Sequence, residues 1–159
     1  MSIEYERSFN VENIEPYLKY CEENGYELLS KVKQNRVVYE CKHNPHIIAR
    51  ITTETVNNKT TVLFDYKNVE KSNADLKVSK ESIPMLVTEE NKDIILSILN
   101  VTDFILQSDN HRTRFVYQKD DVIFEIDSYT KPQIMQVVAI EGNEEKVEQI
   151  YLELKETIK

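Results

Sequence analysis

From Arg112 to Asp127 the chain reads RTRFVYQKDDVIFEID, two runs of alternating apolar and charged residues flanking Gln118-Lys119-Asp120-Asp121. Alternation at period two marks a β-strand with unlike faces, so the stretch predicts a hairpin. With Lys119-Asp120 as a two-residue turn, Gln118 pairs with Asp121, Arg114 faces Glu125 and Arg112 faces Asp127. All four charges then share one face. Thr113, Phe115, Tyr117, Val122, Phe124 and Ile126 share the other, apolar surface that gains about 25 cal/mol per Å² on burial. The charged face must look into water or into a polar cavity. In water it is a ladder of ion pairs worth roughly 0.2–1 kcal/mol each.

A second group with chemical potential lies near the N-terminus. From Ile3 to Phe9, Glu4, Glu6 and Ser8 alternate with Ile3, Tyr5, Arg7 and Phe9. Two carboxylates two residues apart on a strand project side by side. They repel unless a cation sits between them, either a metal or basic side chains. A wet edge strand is the plainer reading of this stretch alone.

Other elements must position these groups. Asn10 is placed to cap a helix carrying Val11, Ile14, Tyr17, Leu18 and Cys21 at helical spacing, with Pro16 tightening its start and Gly25 ending it. Strands are predicted over Tyr26 to Val32, Val37 to Cys41, Ile47 to Val56 and Thr60 to Lys67, with Asn57-Asn58-Lys59 as a hairpin tip. Arg50 shares a face with Thr52 and Glu54, and Lys67 with Asp65 and Leu63. Lys71 to Asp75 reads as a polar connection, and Leu76 to Val87 as an extended segment holding Lys77, Lys80 and Glu81. Thr88 is placed to cap a helix over Glu89 to Leu99, with Ile94, Ile95, Ile98 and Leu99 on its apolar side. Ile134 to Glu141 is a nearly continuous apolar strand, and Gly142-Asn143 opens a helix whose Val147, Ile150, Tyr151, Leu154 and Ile158 face the core. The order predicts one α+β domain over residues 1–159, dominated by antiparallel hairpins with helices packed outside the sheet.

Composition narrows the function. A formal net charge of -8 opposes nonspecific binding to nucleic acid or anionic membrane. The N-terminal MSIEYERSF lacks the apolar core of a signal sequence, and no run approaches the ~20 apolar residues of a membrane span; the expected location is the cytoplasm. Cys21 and Cys41 have no CxxC spacing, and His43, His46 and His111 form no ligand pattern, so reduced thiols are expected. Only two glycines are present, Gly25 and Gly142, which excludes a P-loop and a GxGxxG fingerprint. There is no GxSxG elbow. Any phosphate bound here must be held by side chains.

Most strands thus contribute charges to one face: Glu4 and Glu6, Arg50, Lys67, Arg112 and Arg114, Glu125 and Asp127, Glu141. A sheet closed into a barrel would enclose both signs in one polar lumen, which a charged ligand with metal would satisfy. In IEYERSF, the arginine of IIARI, the lysine of LFDYK, the basic pair of RTRFVY, the acidic FEID and the closing AIEG, the sequence resembles the CYTH superfamily of class IV adenylate cyclases, thiamine triphosphatases and inorganic triphosphatases. The resemblance covers nearly the whole chain. It implies an eight-stranded antiparallel β tunnel that binds a triphosphate group. Carried over by position, it implies that Arg50, Lys67, Lys80, Arg112 and Arg114 contact phosphate oxygens, a task suited to the donor fork of arginine. It also implies that Glu4, Glu6, Asp127 and Glu141, with Glu81 and Glu125, hold one or two Mg²⁺ or Mn²⁺ ions; no catalytic residue is assigned.

Two departures stand out. The lysine of the family's ExExK signature is Ser8 here, and Arg7 projects to the opposite face. The glutamate pair that closes the barrel strand reads Ala139 and Glu141. The leading expectation is a metal-dependent phosphohydrolase acting on inorganic triphosphate or a small organic triphosphate, as a monomer or homodimer with no nucleic-acid or membrane partner. The alternatives are a noncatalytic nucleotide- or polyphosphate-binding module, which Ser8 and Ala139 favour, a class IV-type adenylate cyclase, and a β domain whose charges are surface ladders.

Overall fold

In the computed structural model, which describes residues 2–73 and 75–158, the elements follow in the order β1 (Ser2–Val11), α1 (Glu15–Glu23), β2 (Glu27–Cys41), β3 (Asn44–Val56), β4 (Lys59–Asn73), β5 (Leu76–Glu81), β6 (Met85–Leu86), α2 (Lys92–Val101), β7 (Phe104–Lys119), β8 (Val122–Lys131), β9 (Met135–Glu141) and α3 (Glu144–Thr157). Neighbouring strands pair in the order β3-β2-β7-β8-β9-β1-β5-β4, and β4 pairs back onto β3, closing an eight-stranded antiparallel barrel with β6 appended to β4. Closure pairs each of the eight barrel strands on both sides and gives each an inner and an outer row.

The outer rows make the hydrophobic core. Phe124, Ile126, Val138 and Ile140 of β8 and β9 are fully buried against Val147, Tyr151 and Leu154 of α3 and Tyr17 and Cys21 of α1. Phe9 meets the edges of Tyr17 and Tyr151, a geometry the ring quadrupoles favour. A smaller cluster seats Ile95 and Leu99 of α2 on Ala49, while Ile94 and Ile98 of the same predicted stripe point to solvent. On β1, Arg7 lies outside as expected; its Nε donates to Glu148 of α3 at 2.7 Å and its guanidinium stacks on Tyr151. Among the described residues no helix is long and apolar enough to cross a membrane.

Several boundaries differ from the sequence reading. The two short strands expected between Tyr26 and Cys41 are one, β2, because the residues between them pair on both sides, with β3 and with β7. Asn10 stays in β1, paired with Val137, and the free N–H groups at the start of α1 bond instead to Gln136 and Asn13. Pro16 sits in the first turn of α1, and Gly25 follows it at φ +77°. The helix after Thr88 begins only at Lys92, because Thr88 and Asn91 hydrogen-bond each other and hold Glu89 and Glu90 in a turn. β4 runs on to Asn73 through most of the expected polar connection, of which Ala74 lies outside the described residues.

The β7–β8 turn falls at Asp120-Asp121, one residue later than predicted, so Lys119 pairs with Val122 and Arg114 with Asp127. Aspartate explains it: Asp120 takes φ +53°, which its short polar side chain tolerates better than lysine does. A one-residue shift on both strands preserves the faces.

α3 begins where its sequence said it would. Asn143 Oδ1 accepts from the amides of Glu145 and Lys146 at 3.0 and 3.3 Å. Gly142, at φ +147°, lies so close to the Asp121 carbonyl that a Cβ would stand 2.7 Å from it. Asn143→Ala should lower unfolding stability by about 1 kcal/mol, the usual cost of a lost N-cap, read as a shift of the urea midpoint at unchanged slope.

Candidate active site

The inner rows line a cavity of about 460 Å³. Alternation makes it polar: each strand that turns an apolar residue outward to a helix turns a charged or polar one inward. Of the residues expected to contact phosphate, Arg50, Lys67, Arg112 and Arg114 line the cavity; of those expected to hold metal, Glu4, Glu6, Glu81, Glu125, Asp127 and Glu141 all do. Lys80 does not. On β5 it faces out with Val78, opposite Ile3, and pairs with Glu70 at 2.9 Å, while Lys77, Ser79 and Glu81 share the inner row. Lys77 takes the inward place, its Nζ 3.9 Å from Glu6.

The cations differ in what they have left to offer a ligand. Arg114 is fully engaged, its Nε and Nη2 donating to the two oxygens of Asp127 at 2.8 Å each and its Nη1 to Glu125. Arg50 forks onto Asp65 and reaches Glu81 at 3.0 Å. Lys67 lies between Glu4 and Glu81, at 3.2 and 3.0 Å. Arg112 donates to Gln34 at 2.9 Å and Tyr129 at 2.6 Å, yet its buried Nη2 has no partner among the described residues.

Arg36 is the residue the sequence reading missed. It lines the same cavity from β2, and its one hydrogen bond among the described residues is from Nε to the Thr52 hydroxyl, at 2.9 Å. No described carboxylate pairs with it. Burial, then the charges of Arg112, Arg50 and Arg114, push its pKa down to about 9. The signal was present in the alternation of Gln34, Arg36 and Val38, which a break between two short strands concealed.

The carboxylates also divide. Asp127 gives both oxygens to Arg114 and lies 3.3 Å from Arg112, so in this structure it orients the two arginines. Glu4, Glu6 and Glu141 converge from β1 and β9, each with an oxygen within 4.8 Å of the others. Among the described residues this is the one grouping of metal-ligand type. Two proton-sharing pairs surround it. Burial and a hydrogen bond with Glu81 push the Glu4 carboxyl up to about 8, while Glu81, despite its burial, is held at about 2 by that bond and by Lys67 and Arg50. Burial and the Glu125 charge likewise raise Glu141 well above the carboxylate range. Crowded like charges share protons in this way. Three hard oxygen donors at this spacing fit Mg²⁺ or Mn²⁺.

No protein-family model and no curated protein matches the sequence. Solved structures do match the backbone. A proposed adenylyl cyclase from Hippeastrum with a dominant triphosphatase activity is 13% identical and superposes with a TM-score of 0.66 over 96% of this chain and 87% of that one. A proposed adenylate cyclase from Bacillus halodurans is 12% identical, with a TM-score of 0.64 over 99% and 91%. The chain has the CYTH-type tunnel fold. A chain of the Schizosaccharomyces pombe Mediator head module shares it too, at 8% identity and a TM-score of 0.70 over 98% and 96%, so the tunnel alone does not define an activity. The two departures from the CYTH pattern prove to be one feature. Ser8 and Ala139 are direct partners across β1 and β9, both lining the cavity. One small neutral pair stands in the wall where the CYTH pattern has a lysine and a glutamate.

Proposed function

We propose that this chain is a divergent member of the CYTH superfamily, cytoplasmic, that binds a triphosphate group in its tunnel and hydrolyses it with the help of Mg²⁺ or Mn²⁺. The observation that carries the reading is the pair of arginines with unused donors, Arg36 and Arg112. A half-buried guanidinium repelled by three others is costly unless an anion accompanies it. Phosphate oxygens are the acceptors that arginine forks fit. Arg36 and Arg112 have donors free for the phosphate chain, and Lys67, which pairs with Glu4, would be released toward it if Glu4 held a metal ion. Asp127 fixes the angle of Arg112 and Arg114. Glu4, Glu6 and Glu141 are the residues to hold the metal, which when bound supplies charge neutralisation on phosphate oxygens and acidification of water.

Proton counts test the metal site. Burial and the hydrogen bond between Glu4 and Glu81 raise Glu4 above the usual carboxylate range, so a metal ion bound there should displace a proton. Titration of Mn²⁺ in buffers of different ionisation enthalpy should show release of about one proton or more per ion, with affinity rising as pH climbs toward 8. Affinity independent of pH between 6 and 8 would place the metal elsewhere.

The reaction is tested by phosphate release from inorganic triphosphate, thiamine triphosphate, ATP and GTP with Mg²⁺ or Mn²⁺, alongside thermal shift on the same panel. Metal-dependent turnover supports the hydrolase. Stabilisation without turnover supports a second reading, a triphosphate-binding module without chemistry, which the neutral Ser8–Ala139 pair favours. Silence in both assays overturns both.

A further inference from the structure

The barrel leaves much of α2 uncovered. Six of the ten residues of this helix are apolar, Ile94, Ile95, Leu96, Ile98, Leu99 and Val101, a pattern that belongs to a helix packed on more than one side. The barrel buries only Ile95 and Leu99. Ile94, Ile98 and Val101, spaced i, i+4, i+7, form a second stripe that is 60%, 56% and 79% exposed. Both ends extend it. Met85 pairs with Phe64 on the outer face under α2 and lies beside the helix start, where Asn91 Nδ2 donates to the Leu86 carbonyl at 3.0 Å. Leu106, paired with Tyr39 on the same outer face, lies just beyond the helix end. Among the described residues, nine of the fifteen large apolar side chains left exposed fall between Ile83 and Leu106. Concentration on one face marks an interaction surface, whereas singly scattered apolar residues do not.

We infer that this face pairs with the same face of a second copy of the chain, the two α2 helices lying antiparallel across a two-fold axis at Ile98. The stripe fits itself. With Ile98 of the two copies in contact at the axis, Ile94 of each meets Val101 of the other, so apolar side chains face apolar ones throughout. The charges select the direction. Exposed Glu89, Glu90 and Asp93 stand at the start of α2 against one cation, Lys92. At its end Asp103 is flanked by Lys42, whose N–H donates to the Asp103 carbonyl at 2.9 Å, and by His43, whose Nε2 lies 2.9 Å from the Asp103 carboxylate. Antiparallel pairing brings each acidic start to Lys42 and His43 of the other copy; parallel pairing would set two acidic starts together. The stripe itself carries no charge, so the net charge of -8 on each copy stays out of the contact. An anionic membrane would meet the acidic start as a like charge. A helix of ten residues is about 15 Å long, which puts the contact at the small end of protein interfaces. The dimer should therefore be reversible, with Kd on the order of tens of micromolar. It uses the outside of the barrel and does not depend on the triphosphate reading of the cavity.

The test is sedimentation velocity on the full chain from about 1 to 500 µM, a range that spans the expected Kd. The sedimenting mass of the wild type should double across it. Ile98→Asp sets two carboxylates against each other at the axis and should stay monomeric at every concentration, with the circular dichroism spectrum of the wild type because Ile98 is outside the core. Lys42→Glu should weaken the dimer roughly threefold to tenfold, since the two-fold repeats each rim contact. Adding Glu89→Lys and Glu90→Lys to it should restore most of the loss. A wild type that is monomeric throughout overturns the inference, whether it is inert or binds lipid vesicles or another protein through the stripe. A dimer untouched by Ile98→Asp overturns it as well, by placing the contact on another face. Failure of the lysine pair to rescue Lys42→Glu overturns the antiparallel arrangement.

Discussion

Arg36→Ala should weaken triphosphate binding by about 1.5–3 kcal/mol, the range for hydrogen bonds to charged groups, or roughly tenfold to a hundredfold in Kd. Its folding stability should stay level or rise. The asymmetry follows from its surroundings. Arg50, Arg112 and Arg114 repel Arg36, partial burial removes much of its water, and a single hydrogen bond to Thr52 among the described residues compensates. Removing it relieves a cost in the empty protein and a benefit in the filled one. Arg112 is a poorer probe, because its truncation also strands Gln34, Tyr129 and part of Asp127. Titration calorimetry with inorganic triphosphate and urea unfolding of the same variant decide the matter. A large stability loss with unchanged affinity would falsify the phosphate-binding role.

Arg36 also shows where the sequence stopped being legible. The inner and outer rows of β1, β7 and β8 could be read directly, because alternation carries through a register error: Arg114 pairs with Asp127 and not with Glu125, yet both carboxylates are on the face foreseen. Single-residue identities at strand boundaries could not be read so easily. Gln34-Asn35-Arg36 contains three polar residues in succession, which looks like a loop until β3 and β7 supply partners on either side. Tertiary pairing decides such cases, not local propensity. Lys80 failed for a related reason. Lys77 and Lys80 differ by an odd number of positions, so only one can face inward, and the choice needs the register of β5 against β1. The proximity of Ser8 and Ala139 depends likewise on which strands close the barrel.

Arg114→Ala should cost about 3–5 kcal/mol of folding stability, the usual result of breaking a buried ion pair from one side. Arg114 and Asp127 are each more than nine-tenths buried, and Arg114 satisfies both Asp127 oxygens as well as Glu125. Its loss leaves two carboxylates facing each other with little water. Against a total stability of about 5–15 kcal/mol for a domain of this kind, that is a large share. The double variant Arg114→Met/Asp127→Leu should recover only part of the loss, because a matched apolar pair removes the stranded Asp127 charge while Glu125 still lacks its arginine. It should not recover triphosphate binding. Asp127 also touches Arg112, so removing the carboxylate frees the Arg112 fork to leave the angle at which it presents Nη2 to the cavity. Urea midpoints and triphosphate titrations on the single and double variants separate the two roles. If Arg114→Ala is as stable as the wild type, the charges behave as an exposed ladder, and the polar lumen loses the rigid frame on which its anion-binding arginines depend.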